Sequence, residues 1–214
     1  MMDVKPSGIR MKGSTTRKFW GIKPEIRVIG IDDGPFKPHA GGKALLIGTV
    51  FRGGQWLDGV LRAHIDVDGT DATQRIIEMV NKSRHKGQLR VIMVDGVTFA
   101  GFNVIDIQEI FRQTGLPVIV VSRKLPDFSK VKKALRNLPD WRERWRMLRT
   151  AGKIYQVRSK PKAAPICVQV AGIKRADAEQ IVKLTSTHSL VPEPLRVAHL
   201  IATGIARGES VGGV

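Results

Sequence analysis

Two apolar runs rich in β-branched residues, Arg27-Val-Ile-Gly-Ile31 and Leu89-Arg-Val-Ile-Met-Val94, each stop at an aspartate, Asp32 and Asp95. Runs of this length, closed by Asp-Asp-Gly or Asp-Gly, predict strands buried on both faces of a sheet. Carboxylates at the ends of two such strands can meet at one sheet edge, where a divalent cation would be held. Either Asp-Gly alone is also an ordinary strand end and turn start. The pair says more. Two close carboxylates repel, and one must take up a proton unless a cation is shared between them.

The order of elements extends this reading. Strands are expected over 26–32, 44–51 and 56–65, the last two joined by a tight turn at Gly53-Gly54, which makes an antiparallel meander. An amphipathic helix over 71–85 follows, then a strand over 90–94. A helix over 104–114, capped by Asn103, precedes a strand over 116–121. Two short helices broken at Pro139, a strand over 166–170, and helices over 174–184 and 193–206 complete the chain. This is the layout of an α/β fold of the ribonuclease H-like type: a mixed sheet of a three-strand meander plus parallel strands, flanked by helices. In that layout two catalytic carboxylates sit on the neighbouring first and fourth strands.

Composition narrows the partners. The chain carries 36 Lys+Arg against 19 Asp+Glu, a net charge of +17 over 214 residues, which predicts attraction to phosphate backbones. No uncharged stretch approaches the ~20 residues needed to span a bilayer, and no secretory apolar core opens the chain, so no membrane partner and a cytoplasmic location are expected. Cys167 is the one cysteine, and no Cys/His cluster has zinc spacing. Residues 1–24 read as a basic arm, 25–208 as a single domain and 209–214 as a flexible tail. Within the domain, 130–162 reads as a basic helical insertion, with twelve Lys/Arg against two acids and with Trp141, Trp145 and Tyr155 interleaved.

Several further residues are candidates for chemistry. A third carboxylate is expected from Asp71, with Asp68 second; Asp71 also suits a helix cap, with Gln74 three residues on. Arg123 and Lys124, just past the fifth strand, are candidates to stabilise charge on a phosphate, or else a solvated pair at a strand end. Lys132, Lys133, Arg142, Arg144, Arg146 and Arg149 are candidates for gripping a nucleic acid backbone, and Trp141 for stacking on a base. Phe99 and Phe102, just beyond Asp95, either wedge a base pocket or simply pack. Of the five histidines, His39 is the one nearest to a role.

Taken in order, Gly30-Ile-Asp32-Asp-Gly-Pro-Phe36, Val67-Asp-Gly-Thr-Asp-Ala-Thr73, Val94-Asp-Gly-Val-Thr-Phe-Ala-Gly-Phe-Asn103 and Pro117-Val-Ile-Val-Val-Ser-Arg-Lys124 resemble the archaeal endonuclease dU family, which is related to endonuclease V. Val191-Pro-Glu-Pro-Leu-Arg-Val-Ala198 resembles a segment shared by the two. The resemblance spans about residues 20–208. It implies Mg²⁺-dependent cutting of DNA near a deaminated base, deoxyuridine by the family's name, with Mn²⁺ as an alternative ion. Asp32 and Asp95 match the metal-binding aspartates. Asp71 or Asp68 stands near a third acid, and Arg123 or Lys124 near the catalytic lysine. One departure is plain: where endonuclease V has a histidine after the glycine of its late strand–helix turn, this chain has Ile173.

The expected function is therefore a metal-dependent endodeoxyribonuclease, with loops 33–42 and 97–103 meeting the base. A non-catalytic nucleic-acid-binding protein on the same fold, or a nuclease acting on inosine-containing RNA, is the alternative. Oligomeric state, the position of the cut and the exact lesion stay open.

Overall fold

A computed structural model describes residues 16, 19, 21–37 and 41–210. Most of the expected basic arm, His39 and the last four residues of the tail lie outside these. The meander forms as the sequence predicts: β1 (Arg27–Asp33), β2 (Lys43–Arg52) and β3 (Trp56–Asp66) pair antiparallel. After α1 (Ala72–Asn81) comes β4 (Val91–Asp95), parallel to β1 with Ile31 beside Val94. A small hairpin follows, β5 (Thr98–Phe99) with β6 (Asn103–Val104), then α2 (Ile107–Thr114) and β7 (Val118–Ser122), parallel to β4. Helices α3 (Phe128–Leu135) and α4 (Trp141–Thr150) lead to β8 (Tyr155–Val157) and β9 (Ile166–Ala171). Helices α5 (Arg175–Thr185) and α6 (Glu193–Arg207) close the described chain. The main sheet runs β3-β2-β1-β4-β7-β9-β8.

The apolar runs are continuous because alternate residues feed two cores. Ile29, Ile31, Ile92 and Val94 face α1 and α2, where Ile76, Val80 and Ile110 are fully buried. Val28, Val91 and Met93 face the other side and meet Ile181, Val182 and Leu195 of α5 and α6. Gly30 also lies there, and its lack of a side chain lets α6 rest on the strand. A Cβ on Gly30 would stand 2.3 Å from the carbonyl carbon of Pro194. Thr49, beside Gly30 in register, donates its hydroxyl to the Pro194 carbonyl at 2.5 Å.

Two expectations need correction around residues 98–106. The helix expected from 104 begins at Ile107, and its cap is Asp106, whose carboxylate accepts from the N–H groups of Gln108 and Glu109 at 2.9 and 3.0 Å. Val104 fits helical spacing with Ile107 and Phe111, yet it pairs with Thr98 in the hairpin, whose turn uses positive φ at Ala100 and Gly101. Asn103, expected as that cap, is fully buried and serves α1 instead. Its Oδ1 accepts from Ala72 N–H at 3.0 Å, and its Nδ2 donates to the Asp66 carbonyl and to Asp71. Among the described residues no helix is long and apolar enough to cross a membrane.

Candidate active site

Because β1 and β4 are parallel and in register at Ile31 and Val94, Asp32 and Asp95 leave the sheet side by side. Asp32 is buried, and both of its oxygens are engaged. Oδ1 accepts the Asp33 backbone N–H at 2.9 Å, and Oδ2 lies 2.9 Å from Nδ1 of His199 on α6. Asp33 turns its own Oδ2 to the Ala100 N–H at 2.9 Å, which ties the β5–β6 turn to the end of β1. His199, Thr203 and Arg207, four residues apart on one face of α6, wall a cleft of about 430 Å³ with Asp32, Asp33 and Asp95.

The electrostatics of this cleft are those of crowded carboxylates. Asp95 is pushed up to about 7 by burial first and the Asp32 charge second, with Arg123 and His199 pulling against both. Asp33 is likewise raised to about 7, by burial and then by Asp32, with the Ala100 N–H opposing. The His199 imidazole is raised too, chiefly by its hydrogen bond to Asp32. Such a group of hard oxygen donors fits a divalent cation, which would take the place of the protons. Among the described residues no three His, Cys, Asp or Glu side chains already form a ligand set. One or two carboxylates with water and phosphate are a usual way of holding Mg²⁺, so Asp32 and Asp95, with Asp33 at hand, would suffice.

A pH dependence of stability follows. Folded Asp33 and Asp95 keep protons that the unfolded chain gives up near the ordinary value of 3.8, so the native state binds more protons between there and about 7. Stability therefore falls as pH rises through that window. His199 acts in the same direction, since a raised value contributes stability at low pH that is lost as the imidazole deprotonates. Carboxylates held low, such as Asp58 and Glu193, lose their contribution only in more acidic solution. Calorimetry without metal should give a higher Tm near pH 5 than near pH 8; a Tm that climbs over that range would contradict the account.

The other expected residues separate into groups. Asp71 is not brought to the pair. Its carboxylate accepts from the Asp66 N–H at 3.0 Å and from Asn103 at 2.8 Å and meets Arg75 at 3.4 Å; it makes no capping bond to its own helix. Asp68, at positive φ, accepts the Phe102 N–H at 2.9 Å and so braces the β5–β6 turn. Asp33 is the third acid in the cleft instead. Both cations after β7 are exposed, and Arg123 is the one whose charge reaches Asp95 and His199. Phe99 is fully buried in the core and cannot meet a base, whereas Phe102 is only partly buried.

The basic insertion divides similarly. Arg144, expected to grip a backbone, is buried: it pairs with Asp140 at 2.7 Å and donates to the carbonyls of Gly69 and Phe102 at 2.7 and 2.5 Å. It joins α4 to the turn before α1 and to the β5–β6 hairpin. Lys133, Arg142 and Arg149 are exposed, as is Arg146, which pairs with Glu143 at 2.5 Å. Lys132 lies over Trp145 at 5.2 Å and Arg142 over Trp141 at 5.0 Å, and both indoles are partly buried. His199 and Asp33 are what sequence reasoning missed. The signal was present in the fourfold spacing of His199, Thr203 and Arg207 and in the doubled Asp32-Asp33.

Comparison with known proteins agrees with this architecture. A "UPF0215 protein" of Methanothermobacter thermautotrophicus is 57% identical over 195 residues, covering 91% of this chain and 94% of the relative. A solved structure of a protein of unknown function from Archaeoglobus fulgidus superposes with a TM-score of 0.76 at 38% identity, over 84% of this chain and 98% of that one. Human ENDOV shares the fold at a TM-score of 0.57 and 17% identity, over 88% and 89% of the two chains. Ciona intestinalis endonuclease V, in complex with DNA containing an inosine followed by a ribo-adenosine, does so at 0.51 and 18%, over 81% and 82%. These neighbours make the sheet ribonuclease H-like. The profile of the family described as endonuclease dU matches residues 24–206. The chain belongs to the endonuclease dU family, and with it to the nucleases that act on nucleic acid.

Proposed function

We propose that the protein is a Mg²⁺-dependent endonuclease, with Mn²⁺ able to substitute, that cuts DNA near a deaminated base, deoxyuridine before hypoxanthine, and so serves DNA repair. The observation that carries this is the meeting of Asp32 and Asp95 at adjacent strand ends, joined by Asp33 and His199 in one cleft. Asp32 and Asp95 would hold the ion, with Asp33 as the nearest further donor. When bound, the ion would polarise a phosphate oxygen and make water a better nucleophile.

The chain's own residues supply the rest. His199, fixed through Nδ1 by Asp32, keeps Nε2 as the nitrogen able to exchange a proton with a reacting oxygen. Arg123 brings positive charge to the same place, suited to a phosphate gaining charge in the transition state. Lys133, Arg142 and Arg149 offer exposed cations to the flanking backbone.

The deciding experiment incubates the protein with end-labelled DNA and RNA oligonucleotides carrying uracil, hypoxanthine, xanthine or no lesion, in Mg²⁺, Mn²⁺ or chelator. Metal-dependent nicking of the uracil DNA is expected. Cleavage no greater than that of Asp32→Asn on every substrate would leave a binding protein in its place. Hypoxanthine is the rival lesion because the Ciona protein is bound to inosine-containing DNA.

Arg144 and Arg149 should behave differently on that DNA. Arg149→Ala should reduce the salt slope of binding by about one. Arg144→Met should leave the slope alone and lower stability by roughly 2 kcal/mol, through the carbonyls and the Asp140 partner it abandons. Salt titrations and denaturant melts of the two variants test the division.

A further inference from the structure

A second hollow lies beside Asp95. Between the β5–β6 hairpin, helices α3 and α4 and strand β9 is an apolar cavity of about 130 Å³, walled by Phe102, Phe128, Val131 and Leu148 with Gln169 among them. It adjoins the carboxylate cleft through the chain itself, since Gly96 and Ser122, which also line it, are next to Asp95 and Arg123. Its size is telling. An apolar cavity of roughly 150 Å³ takes up a benzene ring, so this one is in the class that accepts one six-membered ring and not a fused pair.

Gln169 gives the cavity a chemical sense. Its side chain is nine-tenths buried, and its Nε2 donates to the Gly152 carbonyl at 3.0 Å. A carbonyl can only accept, so the amide cannot be turned the other way. Its Oε1 accepts no hydrogen bond among the described residues. No fully buried side-chain N or O atom among them lacks a partner, so Oε1 is not sealed off, and the residue that carries it lines the hollow. An apolar box with one fixed acceptor beside one remaining N–H is complementary to a ring carrying N–H next to C=O.

We propose that this cavity receives a single-ring base turned out of the strand, and that Gln169 reads it as uracil. Oε1 accepts N3–H, and the remaining hydrogen on Nε2 donates to an adjacent carbonyl oxygen of the ring. Cytosine offers an acceptor and an amino group at that edge, so the fixed amide opposes it. Hypoxanthine presents the same N–H and C=O as uracil and is refused by size alone. Thymine shares the edge too, and its place in a normal pair keeps it stacked, whereas uracil facing guanine leaves the stack at lower cost. The inference rests on the nuclease reading above, for which it names the base.

Phe128 makes the size rule testable. It is 41% exposed, and on its far side is another apolar hollow, of about 280 Å³, bordered by Trp145 and Arg149. Phe128→Ala joins the two spaces with little loss of core. Binding is measured in chelator by fluorescence anisotropy of the full-length protein. Single-stranded oligonucleotides, otherwise built of adenine alone so that no thymine competes, carry one uracil, cytosine or hypoxanthine at the same position, so neither pairing nor cleavage intervenes.

Wild type should prefer uracil over both others by about tenfold, the effect of one or two hydrogen bonds or of a misfit ring. Phe128→Ala should bring hypoxanthine within about twofold of uracil while cytosine stays weak, and Gln169→Leu should bring cytosine to uracil's level. Equal binding of the three bases by wild type, or a preference unmoved by both substitutions, overturns the proposal. A uracil preference without any cleavage in Mg²⁺ would keep the pocket and remove the nuclease. Cleavage beside uracil by a protein showing no binding preference would do the reverse.

Discussion

Asp95→Asn should reduce strand cleavage by about a thousandfold, the scale on which preorganised charge at a reacting phosphate acts, and leave oligonucleotide affinity nearly unchanged. The amide keeps the shape of the carboxyl and removes the charge. In the metal-free protein Asp95 already tends to carry a proton near neutral pH, because it is buried beside Asp32. Asparagine resembles that protonated form, so the variant should melt no lower than wild type near pH 8, and higher if the crowding of charge is the main strain there. A gain in stability with a loss of activity is the mark of a group kept for chemistry. A variant that melts early, or still cuts at the wild-type rate, would show Asp95 to be a turn residue only. The paired measurement is a cleavage time course with a thermal melt.

The second large effect is on stability. Gly30→Ala would place a methyl group 2.3 Å from the Pro194 carbonyl carbon and 2.6 Å from its oxygen, both backbone atoms that cannot swing aside. Helix α6 must then lift from β1, and with it the Thr49 bond and the approach of His199 to Asp32. Overpacking of this sort costs about 3 kcal/mol, which for a chain of this size lowers Tm by roughly 10 °C. Gly87→Ala is the control, since a Cβ there meets nothing within 4 Å. Equal melting of the two variants would mean that α6 is not seated as described. Cleavage by Gly30→Ala should drop even below its melting point, because the imidazole moves with the helix.

How far the sequence carries this molecule is clear from particular residues. The strand ends at Asp32 and Asp95 were readable because burial on both faces writes a continuous apolar run and a charge ends it. The basic helices either side of Pro139 were readable from composition and spacing. Asp33 was hidden by its neighbour: alternation along a strand gives the two side chains different surroundings, and only the fold shows Asp33 reaching Ala100. His199 was hidden because its partner lies 167 positions away. Arg144 shows the limit of counting charge, since one of the twelve cations of the insertion is spent inside the protein on carbonyl groups. Asn103 took over the duty expected of Asp71 at the start of α1, and Asp106 the one expected of Asn103, for the same reason: any of the three can cap a helix, and which does so depends on which loop comes close.

Helix α6 is seated on Gly30 at Pro194 and delivers His199 five positions later. Each residue of an α-helix turns the next by about 100° and advances it by about 1.5 Å. One amino acid inserted or deleted between the two would swing the imidazole around the helix axis, away from Asp32. That short interval works as a molecular ruler: its count of residues, and not what the helix's outward face carries, sets where the imidazole lands.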